Sequence, residues 1–170
     1  MLKDGQLVLR PPVDEDVPSI AKLANNKKVW DNLRDYFPHP YSDADALSFL
    51  EFIKNENPPV TFAIIYNNGF CGIISLVPQS DVYKKTAEIG YWLGEPFWGK
   101  GIMTTAVRLM SEYAFSPQFE FARLYAGIFE YNIASMRVLE KNGFTKEGIS
   151  KKNIFKNGEL YDEHRYYLLK

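Results

Sequence analysis

The sequence predicts a mixed α/β fold in a single domain spanning residues 1–170. Three observations carry this prediction. Strand-like alternation, helical stripes and turn signals succeed one another in the order β-α-α-β-β-β-α-β-α-β-β. The length of 170 residues suits one hydrophobic core. No internal repeat, low-complexity block or Gly/Ser/Pro-rich linker divides the chain.

The elements follow in order. Gln6–Pro11 reads as a strand, with Leu7 and Leu9 on one face. The stretch "DEDVPSIAKLANN" starts acidic and then sets Val17, Ile20, Ala21, Leu23 and Ala24 at helical spacing. A Pro-rich loop, "YFPHPYS", precedes a second helix. Ser42 and Asp45 form a capping box for it, and Pro58 and Pro59 stop it. "TFAIIYNNGFCGIISLV" holds two strands joined at Asn67-Asn68-Gly69, a hairpin turn signal. Thr86–Gly94 is a further strand. From Met103 onward, Ala106, Val107, Met110, Tyr113 and Ala114 form one helical stripe. Arg123–Glu130 is a strand, and residues 133–142 form a short helix ended by Asn142-Gly143. Asn157-Gly158 marks a turn before a last strand.

Bulk properties exclude several function classes. Lys plus Arg is 20 and Asp plus Glu is 21, for a net charge of −1. Such a balance does not indicate a general nucleic-acid or membrane-surface binder. One cysteine, Cys71, excludes an intrachain disulfide framework and a multi-Cys zinc site. His39 and His164 lack metal-type spacing, so no metal is expected. "MLKDGQLVLR" lacks the pattern of a secretory signal, and no stretch is apolar enough for a membrane span. The expectation is a soluble cytoplasmic protein.

One stretch carries chemistry: "EPFWGKGIMTTAVRLM", Glu95–Met110. Gly94 to Lys100 fits the first seven positions of a nucleotide-binding P-loop. The eighth must be Ser or Thr to hold magnesium, and here it is Gly101. A dinucleotide G-x-G-x-x-G also fails, because Thr104 stands at the third glycine. What remains is a strand, a glycine-bearing turn and a helix start. Free N–H groups at a helix N-terminus bind phosphate oxygens. Gly99 and Gly101 allow close backbone approach. The alternative is a plain loop whose glycines relieve sterics.

"EIGYWLGEPFWGKGIMTTA" together with "NIASMRVLEKNGF" (Asn132–Phe144) resembles the GNAT superfamily of N-acyltransferases, in its RimJ/RimL-like branch of ribosomal-protein N-terminal acetyltransferases. The shared elements are the strand–turn–helix with G-K-G, the N-x-x-S motif running into K-N-G-F, and the upstream "FPHPYS". The resemblance covers nearly the whole chain. It implies a mostly antiparallel sheet of about seven strands with helices on both faces, splayed between the strands at 86–94 and 123–130. It implies acetyl-CoA as cosubstrate, an amine acceptor as partner, and homodimers as the branch's common assembly.

The resemblance also implies roles. The turn Trp98, Gly99, Lys100, Gly101, Ile102 and Met103, with Thr104 at the helix start, would hold the CoA pyrophosphate through main-chain N–H groups. Lys100 would add charge, the alternative being a solvated lysine. Leu93 would pair with pantetheine, and Asn132 and Ser135 would line the thioester end. Glu88 is the first candidate general base, with Glu130 its rival; the alternative for Glu88 is a carboxylate paired with a surface cation. The family's tyrosine position holds Leu139, so Ser135 is expected to serve the leaving thiolate, with Tyr131 a weaker candidate; otherwise Ser135 steadies its helix. His39, Tyr36 and Trp92 are expected at the acceptor pocket, although aromatic residues also serve as core. The implied reaction is transfer of acetyl to a primary amine by direct attack. The alternative is a non-catalytic acyl-CoA-binding sensor of the same fold.

Overall fold

The computed structural model describes residues 1–170. Eight strands form one open sheet. They are β1 (Leu2–Asp4), β2 (Leu7–Arg10), β3 (Thr61–Tyr66), β4 (Gly69–Pro78), β5 (Thr86–Leu93), β6 (Arg123–Phe129), β7 (Thr145–Lys156) and β8 (Glu159–Leu169). Their spatial order is β1-β2-β3-β4-β5-β6-β8-β7. The helices are α1 (Val17–Ala24), α2 (Lys27–Trp30), α3 (Asp43–Ile53), α4 (Ile102–Ala114) and α5 (Ile133–Lys141). No helix is long and apolar enough to cross a membrane.

The sheet separates two apolar layers. Strand β3 is apolar without alternation because both its faces are covered. Phe62 and Ile64 join Ala106, Val107 and Met110 of α4 and Leu139 of α5. Ala63 and Ile65 face Ile20 and Ala24 of α1 and Ala46 and Leu50 of α3. The local signals hold. Asp45 N–H donates to Ser42 Oγ at 3.3 Å, and Ser42 N–H donates to the Asp45 carboxylate at 2.8 Å. Asn67 and Asn68 take φ of 50° and 65°, the left-handed pair of a tight hairpin turn.

Two elements depart from expectation. The sheet has eight strands rather than about seven, because Leu2–Asp4 folds back on Leu7–Arg10 over Gly5. A three-residue strand is too short to show a period in sequence. The segment after α1 also forms a separate turn of helix, α2, whose N-cap Asn26 accepts from Lys28 N–H at 2.9 Å.

The feature that matters most lies mid-sheet. All neighbouring strands are antiparallel except β5 and β6, which run parallel. They pair only at Thr86↔Arg123, Ala87↔Leu124 and Glu88↔Tyr125. Beyond Glu88, β5 stays with β4 as far as Leu93, and β6 stays with β8 as far as Phe129. Each strand is held by its antiparallel partner, so the two diverge and leave a V-shaped seam.

Candidate active site

A seam inside a sheet exposes backbone groups that normally pair. Gln79 N–H donates to Thr86 O, and Gly94 N–H donates to Cys71 O, which sets the alternation along β5. Even-numbered residues therefore turn their backbone groups to β4, and Tyr91 and Leu93 turn theirs to the seam. The Leu93 carbonyl already accepts the Trp98 indole N–H at 2.7 Å. Leu93 N–H and both Tyr91 groups have no partner strand. The Leu93 side chain is buried, so backbone is what this residue offers to the seam.

The seam's β5 lip leads into the turn before α4. Gly99 and Gly101 sit at φ of 73° and 75°, the left-handed region that glycine enters without penalty. Open space surrounds both Cα atoms. Gly101 is the N-cap and has no side chain to satisfy the first helical donors. No protein group accepts from the N–H groups of Gly99, Lys100, Gly101, Ile102, Met103 or Thr104. Ile102 and Met103 are buried and anchor the helix start, which leaves their N–H groups as their polar contribution. These donors, with the positive end of a 13-residue helix behind them, suit a phosphate. Lys100 is exposed, its ammonium 5.7 Å from the Phe97 ring centre. Asn142 Nδ2 donates to Thr104 O at 3.1 Å and to Val138 O at 2.8 Å, tying the end of α5 to the start of α4.

The face of the seam toward α4 and α5 brings Ser135 to a residue that the sequence did not single out. Tyr91 Oη and Ser135 Oγ lie 2.7 Å apart, joining β5 to α5 across the seam. Burial raises the Tyr91 pKa well above the usual phenol range, against the opposing effect of the Ser135 hydrogen bond. Either hydroxyl of the Tyr91–Ser135 pair can donate in this bond. Asn132 caps α5, its side-chain oxygen accepting from Ser135 N–H at 3.2 Å. Tyr131 lies elsewhere, its hydroxyl donating to the Asp31 carbonyl.

The opposite face, toward α1 and α3, is charged. Glu88 is the last paired residue before the seam opens, and its carboxylate is bound by Arg34 from the loop after α2. Tyr125 is its partner on β6. Burial, followed by the Glu88 charge, raises the Tyr125 pKa. Glu130 does not join this group. It lies past the end of β6, where Lys151 and Tyr161 feel its charge. The expected acceptor residues divide. His39 stacks on Trp30 with ring centres 5.5 Å apart, and Trp30 Nε1 donates to Phe37 O at 2.9 Å. Tyr36 is on the surface at 81% exposure. Trp92 packs against Phe37 and Phe70 and serves the core. No motif marks Arg34 or Tyr125, and the strand motif that contains Tyr91 gives it no role; pairing register brings Tyr91 and Tyr125 to the seam, and the loop after α2 brings Arg34.

Comparison with known proteins agrees with this geometry. The family model of the acetyltransferase (GNAT) domain matches residues 6–145. "Probable N-acetyltransferase YjcK" of Bacillus subtilis (strain 168) is 51% identical over 94 residues, 55% of this chain and 51% of that protein. A second relative from the same organism, YdaF, is 39% identical over 107 residues, 63% of this chain and 57% of its own. The matched chain thus spans little more than half the length of these relatives. The solved structure of RimL, a ribosomal L7/L12 α-N-protein acetyltransferase in complex with coenzyme A, superposes with a TM-score of 0.84. It is 26% identical and covers 98% of this chain and 95% of that one. With the seam, the glycine turn and the matched model in agreement, the chain belongs to the acetyltransferase (GNAT) domain family.

Proposed function

We propose that this chain, as one acetyltransferase domain of residues 1–170, transfers the acetyl group of acetyl-CoA to a primary amine, either a protein N-terminus or a small molecule. The observation that carries this reading is the seam between β5 and β6, which ends on the unpaired N–H groups of Gly99 to Thr104. The residues present fit the cosubstrate. The turn's N–H groups suit a pyrophosphate, and the free backbone groups of Tyr91 and the free N–H of Leu93 suit an extended, amide-bearing chain lying along a strand edge. Acetyl-CoA, when bound, supplies a thioester carbonyl open to direct attack.

This chain's residues then divide the proton work. Glu88 accepts a proton from the incoming amine, after Arg34 has left its carboxylate. An α-amino group, with a pKa of about 8, is roughly a tenth neutral at pH 7 and asks little of that base. On the other face, the Tyr91–Ser135 pair donates a hydrogen bond to the departing sulfur. Trp30 and His39 form an aromatic wall in the loop that would border the acceptor. A cytoplasmic setting fits the single, buried, unpaired Cys71.

The test is mass spectrometry of a panel of amines and peptides incubated with the protein and acetyl-CoA. At least one should gain the mass of an acetyl group. Unchanged masses throughout, with CoA still raising the melting temperature, would support the acyl-CoA sensor instead. The Arg34–Glu88 pair, which occupies the base, is the observation that keeps this second reading in play.

A further inference from the structure

Glu163 is a buried carboxylate with no part in the chemistry above. It sits on β8 with its side chain 10% exposed, on the same sheet face as Arg165 and Tyr125. Asn153 Nδ2 donates to its Oε2 at 3.1 Å, and Arg165 Nη1 donates to the same oxygen at 3.2 Å. Arg165 lies over the Tyr125 ring, 5.5 Å from its centre. One oxygen is therefore fixed by two donors. The other, Oε1, accepts no hydrogen bond, yet it is not sealed from solvent. With Oε2 held by two donors, the open Oε1 is the position on this carboxylate left for a further donor.

The sequence makes room for that oxygen. Gly127 of β6 has its bare Cα beneath Glu163, and a Cβ there would collide with Oε1. The odd-numbered residues of β6 turn their backbone groups to the seam, because Glu130 N–H donates to Asp162 O and Lys170 N–H to Ala122 O. Glu163 Oε1 thus reaches over the β6 lip of the seam, and Glu88 stands at its apex on β5. On β5, Gly90 also leaves the face bare, with Ser75 Oγ 3.8 Å from where a Cβ would be. Arg34 and Tyr125 each feel the charges of both carboxylates. Arg34 is the least fixed of the group: its side chain is 53% exposed, and it holds Glu88 through one nitrogen.

We propose that Arg34 is a displaceable counter-ion, and that a cationic acceptor replaces it, placing its ammonium between Glu88 and Glu163 Oε1. Charge balance supports the exchange. Glu88 and Glu163 face Arg34 and Arg165, so the resting cluster is neutral. Arg165 remains with Glu163 Oε2, and one incoming ammonium restores the charge that Arg34 takes away. Glu163 is then a specificity residue, which favours acceptors that arrive charged over neutral isosteres. This rests on the acceptor reading above, but its test does not use turnover.

The experiment is calorimetric titration of the CoA-saturated protein with putrescine, using butanediol as the neutral isostere. Wild type should bind putrescine and not butanediol. Glu163→Gln should weaken putrescine roughly tenfold, the worth of one charge-assisted hydrogen bond. Gly127→Ala, which displaces Oε1 without changing charge, should weaken it similarly. Arg34→Gln should tighten putrescine by about two- to fivefold, the worth of a half-exposed ion pair. A purely structural Arg34 would not produce a gain. No binding to wild type, no loss in either Glu163→Gln or Gly127→Ala, or weaker binding in Arg34→Gln would overturn the proposal. If the titrations follow the expected pattern while no amine is ever acetylated, the enzyme reading fails and this one stands.

Discussion

The turn from Trp98 to Thr104 and the charged face around Glu88 border the same seam, but they are made in different ways. The turn is one continuous run, and what it presents to the seam is main-chain N–H groups that two left-handed glycines orient. The charged face draws Arg34 from a loop, Glu88 from β5, Tyr125 from β6 and Glu163 from β8. A backbone site tolerates unusual side chains, and Trp98 and Met103 leave the turn's main-chain N–H groups without protein acceptors. A side-chain site depends on every identity and every register. On the proposed reading, binding of the cosubstrate persists while acceptor preference drifts.

The largest expected effect is on the charged face. Glu88→Gln should lower kcat by about 10²–10⁴, the usual worth of a positioned base, without altering CoA affinity. Steady-state kinetics with an acceptor found on the amine panel measures the first quantity, and a CoA thermal-shift titration the second. A loss of less than about tenfold in kcat would remove Glu88 from the proton transfer.

The turn should respond in the opposite sense. Gly101→Val forces a β-branched residue into a left-handed conformation at φ 75°, a cost of about 1–2 kcal/mol. CoA affinity should fall roughly tenfold as the helix start shifts, with little change in kcat at saturating cosubstrate. Unaltered CoA binding in this variant would mean that the turn's geometry is not what holds the phosphates.

The smallest effect expected is at the bridge across the seam. Tyr91→Phe removes the hydroxyl facing Ser135 and should lower kcat by roughly two- to tenfold, the span of one hydrogen bond. Combined with Ser135→Ala, the losses should not add, because the two hydroxyls act as one unit. Strict additivity would show that they serve separate purposes.

Much of the turn is legible in the sequence. Gly99, Gly101 and the stripe beginning at Ile102 are neighbours in sequence, so their local conformations follow from local rules. Ser42, Asn67-Asn68 and Asn157-Gly158 were legible for the same reason. Glu88 was reached through the family resemblance, but its partner Arg34, 54 positions away, was not. Tyr91 carries no such signal, because the motif places the donor on α5 and not across the seam from it. Trp92 was expected at the acceptor pocket, yet an aromatic side chain gives no sign in sequence of which layer it faces. The alternation of β5 decides that, sending Trp92 to Phe70 and Tyr91 to Ser135.

By itself the sequence determined what short-range physics can determine: the helix caps, the hairpin turn, the glycine-bearing helix start and the apolar stripes that build two layers. Tertiary structure decided the rest: the eighth strand, the point at which β5 leaves β6, the pairing of Glu88 with Arg34 and the reach of Glu163 over Gly127. The physical reason is that turns and caps are settled by groups a few bonds apart. Which charge meets which is settled by strand register and by where the loop after α2 packs, and both are properties of the whole fold.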